Sequence, residues 1–88
     1  MLKITRSDLD STRTALRLEG RVTEASLLEL ERARTECQQE GRHLVLDFAG
    51  VSFVDRRGVA ALDGLRRDGI VFTGCSPFLS ELLKEEAR

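Results

Sequence analysis

One stretch constrains this chain more than any other: Leu44–Leu65, L-V-L-D-F-A-G-V-S-F-V-D-R-R-G-V-A-A-L-D-G-L. The hydrophobic period changes inside it. Leu44-Val45-Leu46 is short and β-branched at its centre, which predicts a buried strand ending at Asp47-Phe48. Ala49-Gly50-Val51-Ser52-Phe53-Val54 predicts a short bridging loop. Val59, Leu62 and Leu65 then recur at every third residue, as one face of a helix requires. Asp55 stands where an N-cap belongs, with a carboxylate able to accept from the free N–H groups of the first turn. The stretch therefore predicts strand, tight loop, capped helix.

Arg56 and Arg57 break a local rule. They are the first two residues of the predicted helix, at the end that carries about half a positive charge, where a cation costs roughly 0.3–1 kcal/mol. A place where sequence logic fails locally is a candidate functional site, or one whose old function has lapsed.

The flanking chain supplies the partners for that unit. Leu2 and Ile4 alternate with Lys3 and Thr5, predicting an edge strand, and Ser7–Ser11 carries turn chemistry. Thr14–Glu19 alternates again with Leu16 and Leu18 inward, so the two runs predict a hairpin with a longish loop, and Gly20-Arg21-Val22 closes the second strand. Thr23 is the expected N-cap of a helix with Glu24 on its dipole; Leu27, Leu30, Ala33 (or Arg34) and Cys37 trace its face, widened by Leu28. Gly41 suits its C-terminal cap and Gly69 that of the central helix. Ile70–Thr73 predicts a short strand. Ser76 then Pro77 opens a last helix, with Phe78, Leu79, Leu82 and Leu83 expected on its buried face and Lys84–Arg88 fraying. The order β-β-α-β-α-β-α predicts an α/β fold: a mixed sheet of about four strands with about three helices, in one domain, 1–88.

Composition narrows the function classes. The chain is 41% hydrophobic and 33% charged with a net charge of −1, so no global field draws it to nucleic acid or an anionic membrane. No apolar run approaches the length of a membrane span, and the N-terminus lacks a signal-peptide apolar region. Cys37 and Cys75 have no metal-like spacing and suggest two reduced core thiols, hence a cytoplasmic protein. His43 is the single histidine and reads as a surface residue; alone it builds neither a metal site nor a relay. No Gly-x-Ser-x-Gly, dinucleotide or P-loop motif is present. Asp47 and Asp55 could approach across the loop and hold a cation; the preferred reading is that Asp47 orders the loop and Asp55 caps the helix. No catalytic residue, cofactor or metal is expected, and the chain reads as a non-enzyme.

The run V-L-D-F-A-G-V-S-F-V-D-R-R-G-V-A-A-L resembles the signature of the STAS domain family, the fold of bacterial anti-sigma-factor antagonists. In that family a strand ends in Asp, and Asp-Ser-Ser-Gly or Asp-Ser-Thr-Gly opens the helix. Asp47, Gly50, Val51, Asp55, Gly58 and Leu62 match, and the flanking elements fall in the family's order. The phosphorylatable hydroxyl position falls on Arg56 and the next on Arg57. The resemblance implies a partner-switching module that binds a kinase-like anti-sigma factor, here without the switch: arginine has no hydroxyl and has the wrong sign to mimic phosphoserine. The candidate partner-binding residues are Ser52, Asp55, Arg56, Arg57 and Gly58. Two alternatives stand beside this one. The first is a STAS-like accessory subunit docking on the ATPase of a lipid-transport ABC complex. The second is a small-ligand domain holding a nucleotide or lipid. None involves nucleic acid or direct membrane insertion.

Overall fold

Two alternating strands and two strand–helix units build one sheet. The computed structural model describes residues 1–86. In order they form β1 (Leu2–Asp8), β2 (Arg13–Val22), a 3-10 turn (Glu24–Ser26), α1 (Leu27–Gln39), β3 (His43–Val54), α2 (Arg56–Arg67), β4 (Val71–Thr73) and α3 (Pro77–Glu86). The sheet order is β1-β2-β3-β4. β1 pairs antiparallel with β2; β2 with β3, and β3 with β4, are parallel. This is the mixed α/β sheet and the element order that the periodicities predict. Among the described residues no helix is long and apolar enough to cross a membrane.

The core lies on one face of the sheet. Leu16, Leu18 and Val22 of β2 join Leu44, Leu46 and Phe48 of β3 there. Leu30 and Cys37 of α1, Val59, Leu62 and Leu65 of α2, and Leu79 and Leu83 of α3 close over them. Each such side chain stabilises the fold by roughly 1.5–3 kcal/mol. Lys3, Thr5, Arg17 and Arg21 point the other way and are exposed, as the two-residue alternation requires. Both of the first two helices stop by one device. Beyond α1, Gly41 N–H donates to Gln38 O and Arg42 N–H to Cys37 O; beyond α2, Gly69 and Ile70 repeat the pair on Arg66 and Leu65. Gly41 and Gly69 take φ of 72° and 90°, the left-handed cap that glycine adopts without penalty.

Several boundaries differ from the expectation. Ala49–Val54 is not a loop: β3 runs unbroken from His43 to Val54. Register shifts against Arg17–Glu19 and Gly20–Arg21 of β2 absorb its extra residues. These bulges place small and polar residues in the strand and make it resemble a loop in sequence. The hairpin turn begins after Asp8, later than Ser7. Its Asp10 carboxylate accepts the N–H groups of Thr12 and Arg13, each at 2.8 Å. The helix expected from Thr23 starts at Leu27, after the 3-10 turn, because Ser26 Oγ reaches back to the Thr23 N–H at 2.8 Å. Leu28 and Phe78 are exposed, at 63% and 70%, and do not join the buried faces assigned to them. The strand expected at Ile70 begins at Val71. Of Lys84–Arg88, the first three continue α3; Ala87 and Arg88 lie outside the described residues.

Candidate functional site

β2 and β3 end side by side, Val22 opposite Val54. From these adjacent ends the chain leaves twice, once into the 3-10 turn and once into α2. Asp55 sits between the two departures. Its N–H donates to Val22 O at 3.0 Å. Its Oδ1 accepts the Gly58 N–H at 2.7 Å, the N-cap bond. Its Oδ2 accepts the Glu24 N–H at 3.0 Å. One carboxylate therefore satisfies orphan donors of two helical starts that are far apart in sequence. Asp55 is a clamp, and both its oxygens are engaged inside the molecule.

Gly58 is the close approach that makes the clamp possible. A Cβ there would lie 2.8 Å from Val22 O and 2.9 Å from Val54 Cγ1. Gly58 is buried, so of the candidate residues it and Asp55 position the site, while the rest present it. Arg56 and Arg57 are both exposed. Arg57 Nε lies 3.5 Å from Glu24 Oε2, with both side chains mostly in solvent; such a pair contributes about 0–1 kcal/mol. Arg56 makes no salt bridge among the described residues and lines an open concavity with Val54, Val59, Phe78, Leu82 and Glu85. Ser52 is exposed on β3, and its Oγ donates to Gly20 O at 3.1 Å.

An apolar surface that the sequence reading did not assign adjoins these residues. Val51, Val54, Phe78 and Leu82 line a small cavity of about 80 Å³, with Ser52 and Ser76 at its polar edge. Phe53 beside it is 45% exposed, and the Arg21 guanidinium stacks 4.6 Å above its ring. A signal for this surface was present. Phe78, Leu79, Leu82 and Leu83 form a stripe two residues wide, of which Leu79 and Leu83 are buried in the core, Leu82 packs half-buried against it and Phe78 stays exposed. Also unassigned was Asp63, buried on α2 and held by Arg66 at 2.6 Å and Arg67 at 2.8 Å. Its three- and four-residue spacing to those arginines was the available sign.

Asp47 and Asp55 do not come together. With β3 continuous between them they stand on the order of 20 Å apart, at ~3.3 Å per strand residue. Asp47 Oδ1 instead accepts the Ala49 N–H at 2.9 Å and holds the first bulge. His43 is exposed at the opposite end of β3, and its N–H donates to Thr12 O. Cys37 is buried and Cys75 half-buried, both free; burial pushes both thiols up from their ordinary value.

Comparison with known proteins places this geometry. A family model described as "Mlab, STAS domain" matches residues 5–85. The anti-sigma factor antagonist SpoIIAA, in its unphosphorylated form, superposes with a TM-score of 0.71 at 16% identity, over 93% of this chain and 82% of that one. An anti-sigma-factor antagonist STAS domain from Rhodobacter sphaeroides gives 0.66 at 23% identity, over 100% and 92% of the two chains. A longer chain described as Mglu gives 0.58 at 25% identity, over 83% of this chain but 19% of that one. No curated protein matches by sequence.

Proposed function

The chain belongs to the STAS domain family, and from that premise we propose that it is a single-domain, non-catalytic protein-binding module of the cytoplasm. Its docking surface is the start of α2 with the strand end before it. The observation that carries this reading is the division of labour at that place. Asp55 and Gly58 turn inward and fix the backbone. Arg56, Arg57 and Ser52 stand in solvent, with exposed phenyl rings beside Arg56 and Ser52. Two arginines at a helix N-terminus are an unfavourable local choice, and a partner's carboxylates would offset it through charge-assisted hydrogen bonds.

The likeness to anti-sigma factor antagonists supports a kinase-like anti-sigma factor as the partner. With arginine at the switch position, phosphate of charge about −2 has no hydroxyl to enter there, so binding is constitutive. The family model's Mlab description, together with the same missing hydroxyl, favours a second reading: an accessory subunit docked on the ATPase of a lipid-transport ABC complex. The small-ligand reading has the least support: the cavity beside the site is about 80 Å³, and the larger concavity that Arg56 lines, about 370 Å³, lies open to solvent. The test is to incubate the chain with the kinase-like partner and ATP and record intact mass. Unchanged mass with a retained complex fits the constitutive module. A stoichiometric phosphate on Ser52 or Ser76 means that the switch has moved and overturns it.

A further inference from the structure

The apolar cavity beside α2 fits one kind of occupant. Its apolar lining joins buried Phe48 and Leu79 to half-buried Val51, Val54 and Leu82 and to Phe78, 70% exposed. Exposed aromatic surface around a small central pocket is the arrangement in which one anchor side chain carries most of a docking energy. Size selects the anchor. An apolar cavity of about 150 Å³ takes one benzene, and this one is about 80 Å³. That space suits one branched aliphatic side chain better than an aromatic ring. The rim adds charge. The cavity shares Val54, Phe78 and Leu82 with the concavity that Arg56 lines, so the two form one groove. Arg56 there has no salt-bridge partner among the described residues and stands on an already positive helix end. Glu85 lies in the same concavity, beyond salt-bridge distance of Arg56. At the polar edge Ser76 Oγ accepts the Leu79 N–H at 3.1 Å, which leaves its own O–H free to donate.

We propose that this groove receives an amphipathic segment of the partner protein that inserts one branched aliphatic side chain between Val51, Val54, Phe78 and Leu82 and lays a neighbouring carboxylate on Arg56. The proposal rests on the docking reading above and adds the chemistry of what docks. The carboxylate supplies the charge that α2's first turn lacks, and the anchor covers the phenyl ring that the fold leaves in water. Contact is therefore part hydrophobic and part ionic: salt weakens it without abolishing it.

The experiment places the photo-crosslinker p-benzoylphenylalanine at position 78, where it extends the native ring, and in a second variant at position 57. Both are expressed as the full chain in native cells, and crosslinked residues are mapped by mass spectrometry. The expected result is a crosslink from position 78 to an aliphatic residue of another protein with Asp or Glu within about one helical turn. Adding Arg56→Glu lowers its yield by about tenfold, as loss of a charge-assisted hydrogen bond does; Arg56→Lys retains most of it. A crosslink to a second copy of this chain, to lipid, or to a segment without a carboxylate overturns the proposal. So does a yield indifferent to Arg56→Glu. Capture from position 57 but not from position 78 overturns the groove and leaves the docking reading standing. Capture from neither position sinks both.

Discussion

Asp55 joins two helical starts with one carboxylate, and its removal has a calculable effect. Asp55→Ala loses the bonds to Gly58 N–H and Glu24 N–H together. Loss of a cap alone costs about 0.5–2 kcal/mol, so the expected loss lies at the upper end of that range, read by urea unfolding. Asp55→Asn keeps one acceptor oxygen and should recover about half. Gly58→Ala gains up to about 1 kcal/mol of helix propensity but drives a methyl against Val22 O and Val54. Overpacking of that kind costs roughly 1–3 kcal/mol, so the net change is destabilising. Arg56→Glu goes the opposite way: it places an acid where the helix dipole favours one and should stabilise the fold by about 0.5–1 kcal/mol, raising Tm by a few degrees in a domain of this size. At Arg57→Glu the same gain is offset by loss of the pair with Glu24, and stability should stay about level. A residue whose removal stabilises the fold while weakening binding is one kept for function. The cap was legible because N-cap chemistry is local. The bond to Glu24 was not, because nothing in Thr23-Glu24 announces a partner beyond α1 and β3.

At the scale of elements, the end of the sheet remote from the site is held by charge. Arg6 reaches across to Glu40 at the end of α1 with two bonds of 2.7 Å and also binds Asp8. Arg42 donates to Asp10 O and Arg13 O and approaches Asp8. This network ties the β1–β2 hairpin to the helix end. The Thr14 hydroxyl and Arg6 hold the Asp8 carboxyl below its ordinary value of 3.8, and Arg6 holds Glu40 below 4.5. The backbone N–H of Thr12, with Arg13, depresses Asp10 further. A carboxyl depressed in the folded state contributes stability that is fully present above its unfolded value and lost as pH falls through the folded one. Thermal stability should therefore hold from neutrality to about pH 5 and fall progressively below pH 4; Arg6→Gln should flatten that fall. Three helices and four strands could be read from period and caps. The continuity of β3 could not, because its bulges put Ala49, Gly50 and Ser52 where alternation should stand. Nor could the outward face of α3: a stripe of adjacent leucines and a phenylalanine names an apolar helix without saying which half meets the core.

Over the whole molecule, the two ends of the sheet have different tasks. One end is stapled by ion pairs and turns. The other, where β2 and β3 finish together, presents Arg56, Arg57 and an uncovered apolar groove beside a clamped backbone. Binding sites in open α/β sheets gather outside the carboxyl ends of the strands, and this end is where the proposed docking surface lies. The direct measurement is quantitative affinity capture from native extract, with wild type beside Arg56→Glu/Arg57→Glu, after unfolding curves have shown the variant to be at least as stable. The account predicts a partner, a kinase-like anti-sigma factor or an ABC ATPase, that is retained by the wild type in low salt and depleted about tenfold or more by the double substitution. A partner captured equally by both forms would contradict it and move the interface away from the start of α2.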